Sequence, residues 1–372
     1  MKIALLGGEP VYITRFRGHL LRALQRRGHS VVAWAGAPDA QVERELGAAG
    51  IAFASLPLHR TGMRPDRELT TLLAVHRLLR QERPDLLITT TPKMIAYGGL
   101  AAHWANQPRT IALVTGLGMA FDPPRGAVDH LRRFCAQRIL RAALRHSSLA
   151  VFYNPDDRDT LLKFGVLQPN TQTLLLDGSG VDVAQFAVSP VSIAPVTFLM
   201  LGRLLRSKGT LDFIEAARQL KAQHPEARFQ LLGDLDAAHP HSIGALRLQQ
   251  AQQAGIEYLG YHPDVRPYLQ AATAIVVPSQ HREGLPRVIL EAFAVGRPVI
   301  ASDVPGCRDA VTPDRTGWLV PPCSPAALAT AMQTVIADPG RATALGPHCR
   351  HEAERRFAVD LVCERLIHAI GA

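Results

Sequence analysis

Two doubly wound α/β domains of similar size are predicted, on three observations. Short apolar strand signals alternate with helical signals along the chain. The alternation is interrupted once, by a proline-bearing and nearly uncharged stretch, and then restarts. The length of 372 residues fits two domains at roughly 100–200 residues each.

The elements follow in order. "KIALLG" is a short apolar run ended by Gly7-Gly8, and "FRGHLLRALQRRGH" has helical spacing and stops at Gly28. "SVVAWAG" is the next strand, and "DLLITT" (85–90), "RTIALVTG" (109–116), "LAVFYN" (149–154) and "TQTLLLD" (171–177) are further strand candidates. Helical stretches lie between them at 67–82, 93–105, 128–146 and 156–164. "FAVSPVSIAPVTFLMLG" then carries Pro190 and Pro195 with little charge, as a linker should. Strands near 196–202, 228–232, 256–260, 274–278, 298–302 and 317–320 alternate with helices near 208–223, 243–254, 264–272, 285–296 and 325–337. The β-α-β rhythm implies parallel sheets covered on both faces. The domains are placed at 1–187 and 188–350, with a final helix in 351–372 free to pack back on the first domain. Ligands of such sheets bind beyond the carboxyl ends of the strands, so the two domains are expected to face one cleft.

Composition narrows the class. The chain is 47% hydrophobic, 20% charged and 6% aromatic, an ordinary globular balance without low-complexity tracts. The start "MKIALLGGEP" is too short in its apolar core for a secretion signal, and no long uncharged apolar stretch reads as a membrane span. Five cysteines, at 135, 307, 323, 349 and 363, form no CxxC pair, so reduced thiols are expected rather than a zinc site. The net charge of +9 is uneven: residues 1–186 hold 23 Lys+Arg against 15 Asp+Glu, and residues 187–372 hold 18 against 17. Such a basic half suits acidic partners such as phospholipid heads, nucleic acid or phosphorylated substrates, or is a solvated face. Interleaved basic and aromatic residues are missing, which argues against a nucleic-acid module.

Three strand ends carry candidate chemistry. In "LLGGEPVYITRFRG" a glycine turn at Gly8 is either a tight turn or a close backbone approach to a ligand; it matches neither GxGxxG nor a P-loop. In "LMLGRLLRSKGTLDF" a strand ends at Gly202, and Arg203 and Lys208 follow. Two cations there can meet a diphosphate, or be ordinary surface charge. In "AIVVPSQHREGLPRVILEAF" a helix is expected to begin at about Leu285-Pro286, with Pro286 in its first turn. Amides at Gly284, Leu285 and Arg287 then form an anion-binding end, with Glu283 at its mouth. Glu291 has apolar helical neighbours Val288, Ala292 and Val295. It meets ligand hydroxyls, reaches water, or pairs with an arginine such as Arg203. "DLD" (234–236) has the spacing of a metal-binding DxD but reads better as a strand end.

"GRLLRSKG", "PSQHREGLPRVILEAFAVGRPVIASDVPGCRD" and "TGWLVPP" together resemble the retaining glycosyltransferases of family 4, whose two Rossmann-like domains form the GT-B fold. "TTTPKMIAYGGLAAHWANQPRTIALVTGLGMAF" and "DGSGVD" resemble a narrower group of bacterial enzymes that extend polyprenyl-diphosphate-linked glycans of O-antigen, capsule and glycoprotein pathways. The resemblance implies a UDP-sugar donor, an N-acetylhexosamine as the transferred sugar, and no divalent metal or other cofactor. It assigns Arg203 and Lys208 to the donor diphosphate, Glu283 to the donor sugar and Glu291 to the ribose. Tyr261 and His262 fall where the nucleobase edge is expected. Many family members carry a histidine near the reacting sugar; here Thr115 and Gly116 stand in that region, and Arg15 in the first loop is expected at the acceptor phosphate. The resemblance also implies a cytoplasmic enzyme held peripherally on the inner membrane leaflet. The segment 128–146, with Leu131, Phe134, Ile139, Leu140 and Leu144 among five arginines, suits an interfacial helix beside anionic lipid, or a helix packed on its own sheet with its arginines in solvent. The competing activity is a nucleotide-sugar epimerase or hydrolase of the same fold.

Overall fold

The structure is a computed structural model and describes residues 1–58, 65–107, 109–121, 126–237 and 239–372. The chain divides into two compact units, Met1–Ser179 with Asp360–Ala372, and Gly180–Val359.

The first unit is built on a seven-stranded sheet of order β3-β2-β1-β4-β5-β6-β7. Its strands are β1 (Lys2–Leu6), β2 (Ser30–Gly36), β3 (Ala52–Leu56), β4 (Leu86–Thr90), β5 (Thr110–Val114), β6 (Leu149–Phe152) and β7 (Thr173–Leu175). All pairings are parallel. The central strands are buried along nearly their whole length, which explains why they read as continuous apolar runs rather than alternating ones. The helix Ala40–Ala48 and β3 were not foreseen. The helix buries only Val42 and Leu46, and β3 is a half-exposed edge strand, so neither has a strong periodic signal. The first helix begins at Pro10 rather than Phe16. A proline is well placed in a first turn because its missing N–H has no partner there in any case.

The second unit holds a six-stranded parallel sheet of order β10-β9-β8-β11-β12-β13. The strands are β8 (Thr197–Leu201), β9 (Arg228–Leu232), β10 (Glu257–Gly260), β11 (Ala274–Val277), β12 (Val299–Ser302) and β13 (Gly317–Val320). Arg297 is fully buried, and its guanidinium donates to the carbonyls of Ala272, Ser189, Val295, Pro190 and Gln270. These bonds fasten the proline-bearing linker to this unit. They also satisfy a charge whose burial pulls its pKa down to about 10.

The domain boundaries read from sequence shift. Val181 and Phe186 already lie in the core that contains Phe293, so the second unit starts at Gly180 and not at 188. Ala353 and Phe357 belong to that same core, so the chain leaves it after Val359 and not after 350. The single final helix becomes Pro339–Glu352, a π-helical turn Ala353–Phe357 and a helix Val359–Ile370. The last segment is tied into the first unit: Arg365 pairs with Asp177 at 2.6 Å, and Arg109 donates to the Ile370 carbonyl at 2.6 Å.

Candidate active site

In the second unit the chain runs from β8 outward to β9 and β10, then returns to β11 beside β8 and continues to β13 on the other side. The connections leaving β8 and β11 therefore diverge, and a crevice opens at the carboxyl ends of these two strands. Both of the strongest sequence motifs of this half follow these strands.

Glycines bring the two loops together. The short 3₁₀ turn Arg206–Lys208 ends at Gly209, whose φ is +75°. A β-carbon at Gly209 would lie 1.8 Å from the Pro278 carbonyl oxygen, so only glycine permits this approach to the end of β11. Gln280 N–H donates to the Ser207 carbonyl at 3.0 Å, and its side-chain amide donates to Asp212 at 3.0 Å. The result is a direct pair, Lys208 Nζ to Glu283 Oε1 at 2.5 Å. Ser279, 1% exposed, donates its hydroxyl to the same oxygen at 2.8 Å. The backbone of Glu283 is fixed as well. Its N–H donates to Pro305, and a β-carbon at Gly306 (φ +84°) would stand 2.6 Å from the carbonyl oxygens of Glu283 and Gly284. Beneath lies Cys307, fully buried; burial pushes its thiol pKa up, and the Glu283 charge adds to the rise.

The helix itself spans Arg287–Ala294, with Pro286 as its N-cap at ψ 119°. It begins later than the sequence reading placed it: Pro286 is extended and outside the helix, and Gly284 and Leu285 belong to the preceding loop. The first N–H groups of a helix have no intrahelical acceptors and point toward that loop. Glu291 accepts from Arg287 Nε at 2.8 Å, one turn back. An arginine partner was among the alternatives for Glu291, but it is Arg287. Arg203 instead faces Asp236 at 3.8 Å and stays 40% exposed, a loosely held cation. That contact also employs one acid of the "DLD" stretch. Among the described residues no group of three or more His, Cys, Asp or Glu could hold a metal ion.

Gly202 closes β8 at φ +140°, and Gly233 closes β9 so tightly that a β-carbon there would lie 1.9 Å from the Gly202 carbonyl oxygen. Tyr261 and His262 follow β10, two strands from β8 and therefore about 10 Å along the sheet edge. Tyr261 is exposed, whereas His262 is half-buried with Nε2 at 2.9 Å from both the Leu259 carbonyl and the Tyr268 hydroxyl.

The first unit has its own crossover point, between β1 and β4. Gly8 follows β1, and a β-carbon on it would meet no protein atom within 4 Å. Thr115 and Gly116 follow β5, with Gly116 at φ +136°. Arg15 is not in the first loop. The helix Pro10–Arg26 starts five residues before it, which puts an exposed Arg15 on the helix's second turn. Sequence reasoning missed Thr91, held at φ +68° at the end of β4. Its signal was the following Pro92, which excludes the helical conformation for the residue before it. It also passed over Ser279, Gly209 and Gly306, each visible only as a residue flanking a chosen motif.

Residues 13–175 match the family model of a glycosyl transferase 4-like domain, and residues 195–338 that of glycosyl transferases group 1. The chain belongs to the group 1, family-4-like glycosyltransferases. The cluster of Lys208, Ser279, Glu283 and Arg287 falls inside the group 1 match. Arg15, Thr115 and Gly116 fall inside the other. One curated relative is the N,N'-diacetylbacillosaminyl-diphospho-undecaprenol alpha-1,3-N-acetylgalactosaminyltransferase of Campylobacter jejuni, 25% identical over 84% of this chain and 83% of that protein. Another is the UDP-Gal:alpha-D-GlcNAc-diphosphoundecaprenol alpha-1,3-galactosyltransferase of Escherichia coli, 24% identical over 68% and 67%. Among solved structures, Anabaena HepE in complex with UDP superposes on all of both chains with a TM-score of 0.79 at 20% identity. At that identity the likeness establishes the GT-B fold.

Proposed function

We propose that this glycosyltransferase moves an N-acetylhexosamine from a UDP-sugar to a saccharide carried on a polyprenyl diphosphate, with retention at the anomeric carbon. The observation that carries the reading is the Lys208–Glu283–Ser279 cluster at the crossover of β8 and β11. The activities of the two undecaprenyl-diphosphate relatives support the acceptor class, and the UDP complex of HepE supports the donor class. Those relatives are transferases, which favours transfer over epimerisation or hydrolysis.

In this mechanism Lys208 and Arg203 take the donor diphosphate. Arg203 is exposed and loosely paired, so turning to a ligand costs it little. The start of the helix Arg287–Ala294 adds partial positive charge to the same phosphates. Glu283 turns its carboxylate to the sugar hydroxyls while Lys208 and Ser279 hold its Oε1. Glu291, fixed by Arg287, accepts from the ribose hydroxyls. Tyr261 and His262 border the nucleobase. In the transfer the bond from the anomeric carbon to the β-phosphate oxygen breaks as the acceptor oxygen approaches the same face. The acceptor's proton passes to the departing phosphate oxygen, so neither acid is a general base. Charge building on the leaving diphosphate is the main quantity to be stabilised, and two protein cations supply this without a divalent metal. Gly8, Arg15, Thr115 and Gly116 are assigned to the acceptor side.

We also place the enzyme peripherally on the inner face of the bacterial cytoplasmic membrane. No helix among the described residues is long and apolar enough to cross a membrane. Of the apolar residues in 128–146, Leu140 and Leu144 turn out to be core. Val128, Leu131, Phe134 and Ile139 are exposed, beside Arg132 and Arg138, and no residue from 126 to 139 is buried. That half-helix supports contact with anionic lipid.

The test is UDP release from UDP-N-acetylhexosamines. It is expected to need a polyprenyl-diphosphate-linked acceptor and to persist in EDTA, with an axial product linkage by NMR from an axial donor. Glu283→Gln and Lys208→Ala are each expected to lower kcat/KM by at least about 100-fold. Full activity in either variant removes the site assignment, and turnover without acceptor removes transfer.

A further inference from the structure

The helix Pro10–Arg26 contains no acidic residue, and apart from the buried Arg17 its basic side chains fall in one row. Arg15, His19, Arg22 and Arg26 recur at spacings of four, three and four, so they form one stripe along one face. The far half of this stripe lines an open cavity of about 460 Å³, whose walls are His19, Arg22, Gln25, Arg26, Ala49 and Asp360. The volume lies within the range of small-molecule pockets, about 300–1,000 Å³. Arg22 stands some 18 Å along the helix axis from Pro10, taking about 1.5 Å per residue. The cavity is therefore at the opposite end of the helix from the glycine turn after β1 and is separate from the strand ends of this unit.

Its electrostatics are unbalanced. Among the described residues neither Arg22 nor Arg26 has a side-chain hydrogen bond or ion pair, whereas the adjacent Arg27 pairs with Glu364. The Arg22 guanidinium folds back over Gly18, where a β-carbon would lie 3.5 Å from both terminal nitrogens. The bare glycine lets the planar fork lie along the helix, and Arg22 remains part of the cavity wall. Two guanidiniums one turn apart match the oxygens of one phosphate group. Asp360 contributes a single carboxylate, which can accept from a hydroxyl but not from a bare phosphate.

We propose that this cavity is a second anion site, one that binds a phosphate ester carrying a neighbouring hydroxyl, independently of the nucleotide-sugar site. Arg22 and Arg26 hold the phosphate, and Asp360 and Gln25 meet the hydroxyl. The phosphate can belong to a free sugar phosphate or to the glycerol phosphate head of a membrane lipid. Because both arginines are solvent-facing, the affinity is moderate and falls with salt.

Glucose 1-phosphate serves as the free probe, titrated calorimetrically into the full chain at low salt with and without saturating UDP. Phosphatidylglycerol vesicles, read by co-sedimentation against phosphatidylcholine vesicles, serve as the lipid probe. The expected result is glucose 1-phosphate binding that UDP leaves unchanged and that Arg22→Gln/Arg26→Gln weakens at least tenfold. Arg132→Gln/Arg138→Gln is the control and leaves it intact. If only vesicle binding responds to Arg22→Gln/Arg26→Gln, the lipid head is the source of the phosphate. If neither probe responds, or if UDP displaces glucose 1-phosphate completely, the proposal is wrong. Should the double variant melt early, Asp360→Asn keeps the question open to refutation: it removes the opposing charge and must tighten inorganic phosphate at least threefold.

Discussion

Gly209→Ala adds one methyl group at the point where the loop after β8 meets the end of β11. Two effects combine. A residue with a β-carbon held in the left-handed region costs about 1–2 kcal/mol. The new carbon would also stand 1.8 Å from the Pro278 carbonyl oxygen and 2.6 Å from its carbon. Ordinary carbon–oxygen contact begins at about 3.3 Å, so the loop must retreat by about 1.5 Å. Overpacking of this kind costs about 1–3 kcal/mol, which brings the total to about 2–5 kcal/mol. The retreat carries Lys208 away from Glu283, and misplacement by about 1 Å costs a catalytic site on the order of 100-fold. Urea unfolding gives the stability, and UDP release gives kcat/KM. Gly255→Ala is the control, because Gly255 has φ +83° just after a helix and only the flexible Lys221 side chain lies within 4 Å of its β-carbon position. It should show the backbone strain with little crowding. If Gly209→Ala is no less stable than Gly255→Ala and retains wild-type kcat/KM, the close approach does not position Lys208 and the reasoning fails.

Three other perturbations test the surrounding structure. Ser279→Ala removes a buried hydroxyl that donates to a carboxylate, which should cost about 1.5–3 kcal/mol in urea unfolding and lower kcat more than tenfold; unchanged kcat would deprive Ser279 of any part in orienting Glu283. Arg297→Met leaves five carbonyl acceptors without their donor, at about 1–3 kcal/mol for each that stays unsatisfied, so a loss of about 3 kcal/mol or more is expected in chemical denaturation. Ellman's reagent should modify the exposed Cys135 and Cys323 in the native protein, and Cys307, Cys349 and Cys363 only on unfolding. Burial pushes the Cys363 thiol up to about 12, and those of Cys307 and Cys349 rise as well. The folded state thus keeps protons that the unfolded state releases above about pH 8.5. Stability should fall by about 1.4 kcal/mol per pH unit for each such thiol between that point and pH 12. A urea midpoint that rises from pH 8 to pH 10 would contradict this sign.

Much of this protein is legible in the order of its residues. Parallel strands covered on both faces must be apolar throughout, so β1, β4, β5, β8 and β11 appear as short continuous runs. Their carboxyl ends, and hence the places to look for chemistry, follow from that alone. The pairing of Lys208 with Glu283 needed more, because 75 residues separate them and only the return of β11 to the side of β8 joins the two loops. Gly209 and Gly306 act through close approaches to backbone distant in sequence, and a local pattern holds no trace of such contacts. The Arg287–Glu291 pair, by contrast, is a local one, one turn apart on the same helix, and it was the placing of Arg203 beside Asp236 that needed the fold. The unit boundaries also belong to tertiary structure. Phe186 and Phe357 look like any apolar residues beside a linker and a helix, and it is their shared burial with Phe293 that assigns both segments to the second unit. Periodicity records which side of an element is covered; which element covers it depends on long-range pairing, whose free energy exists only once the chain has closed.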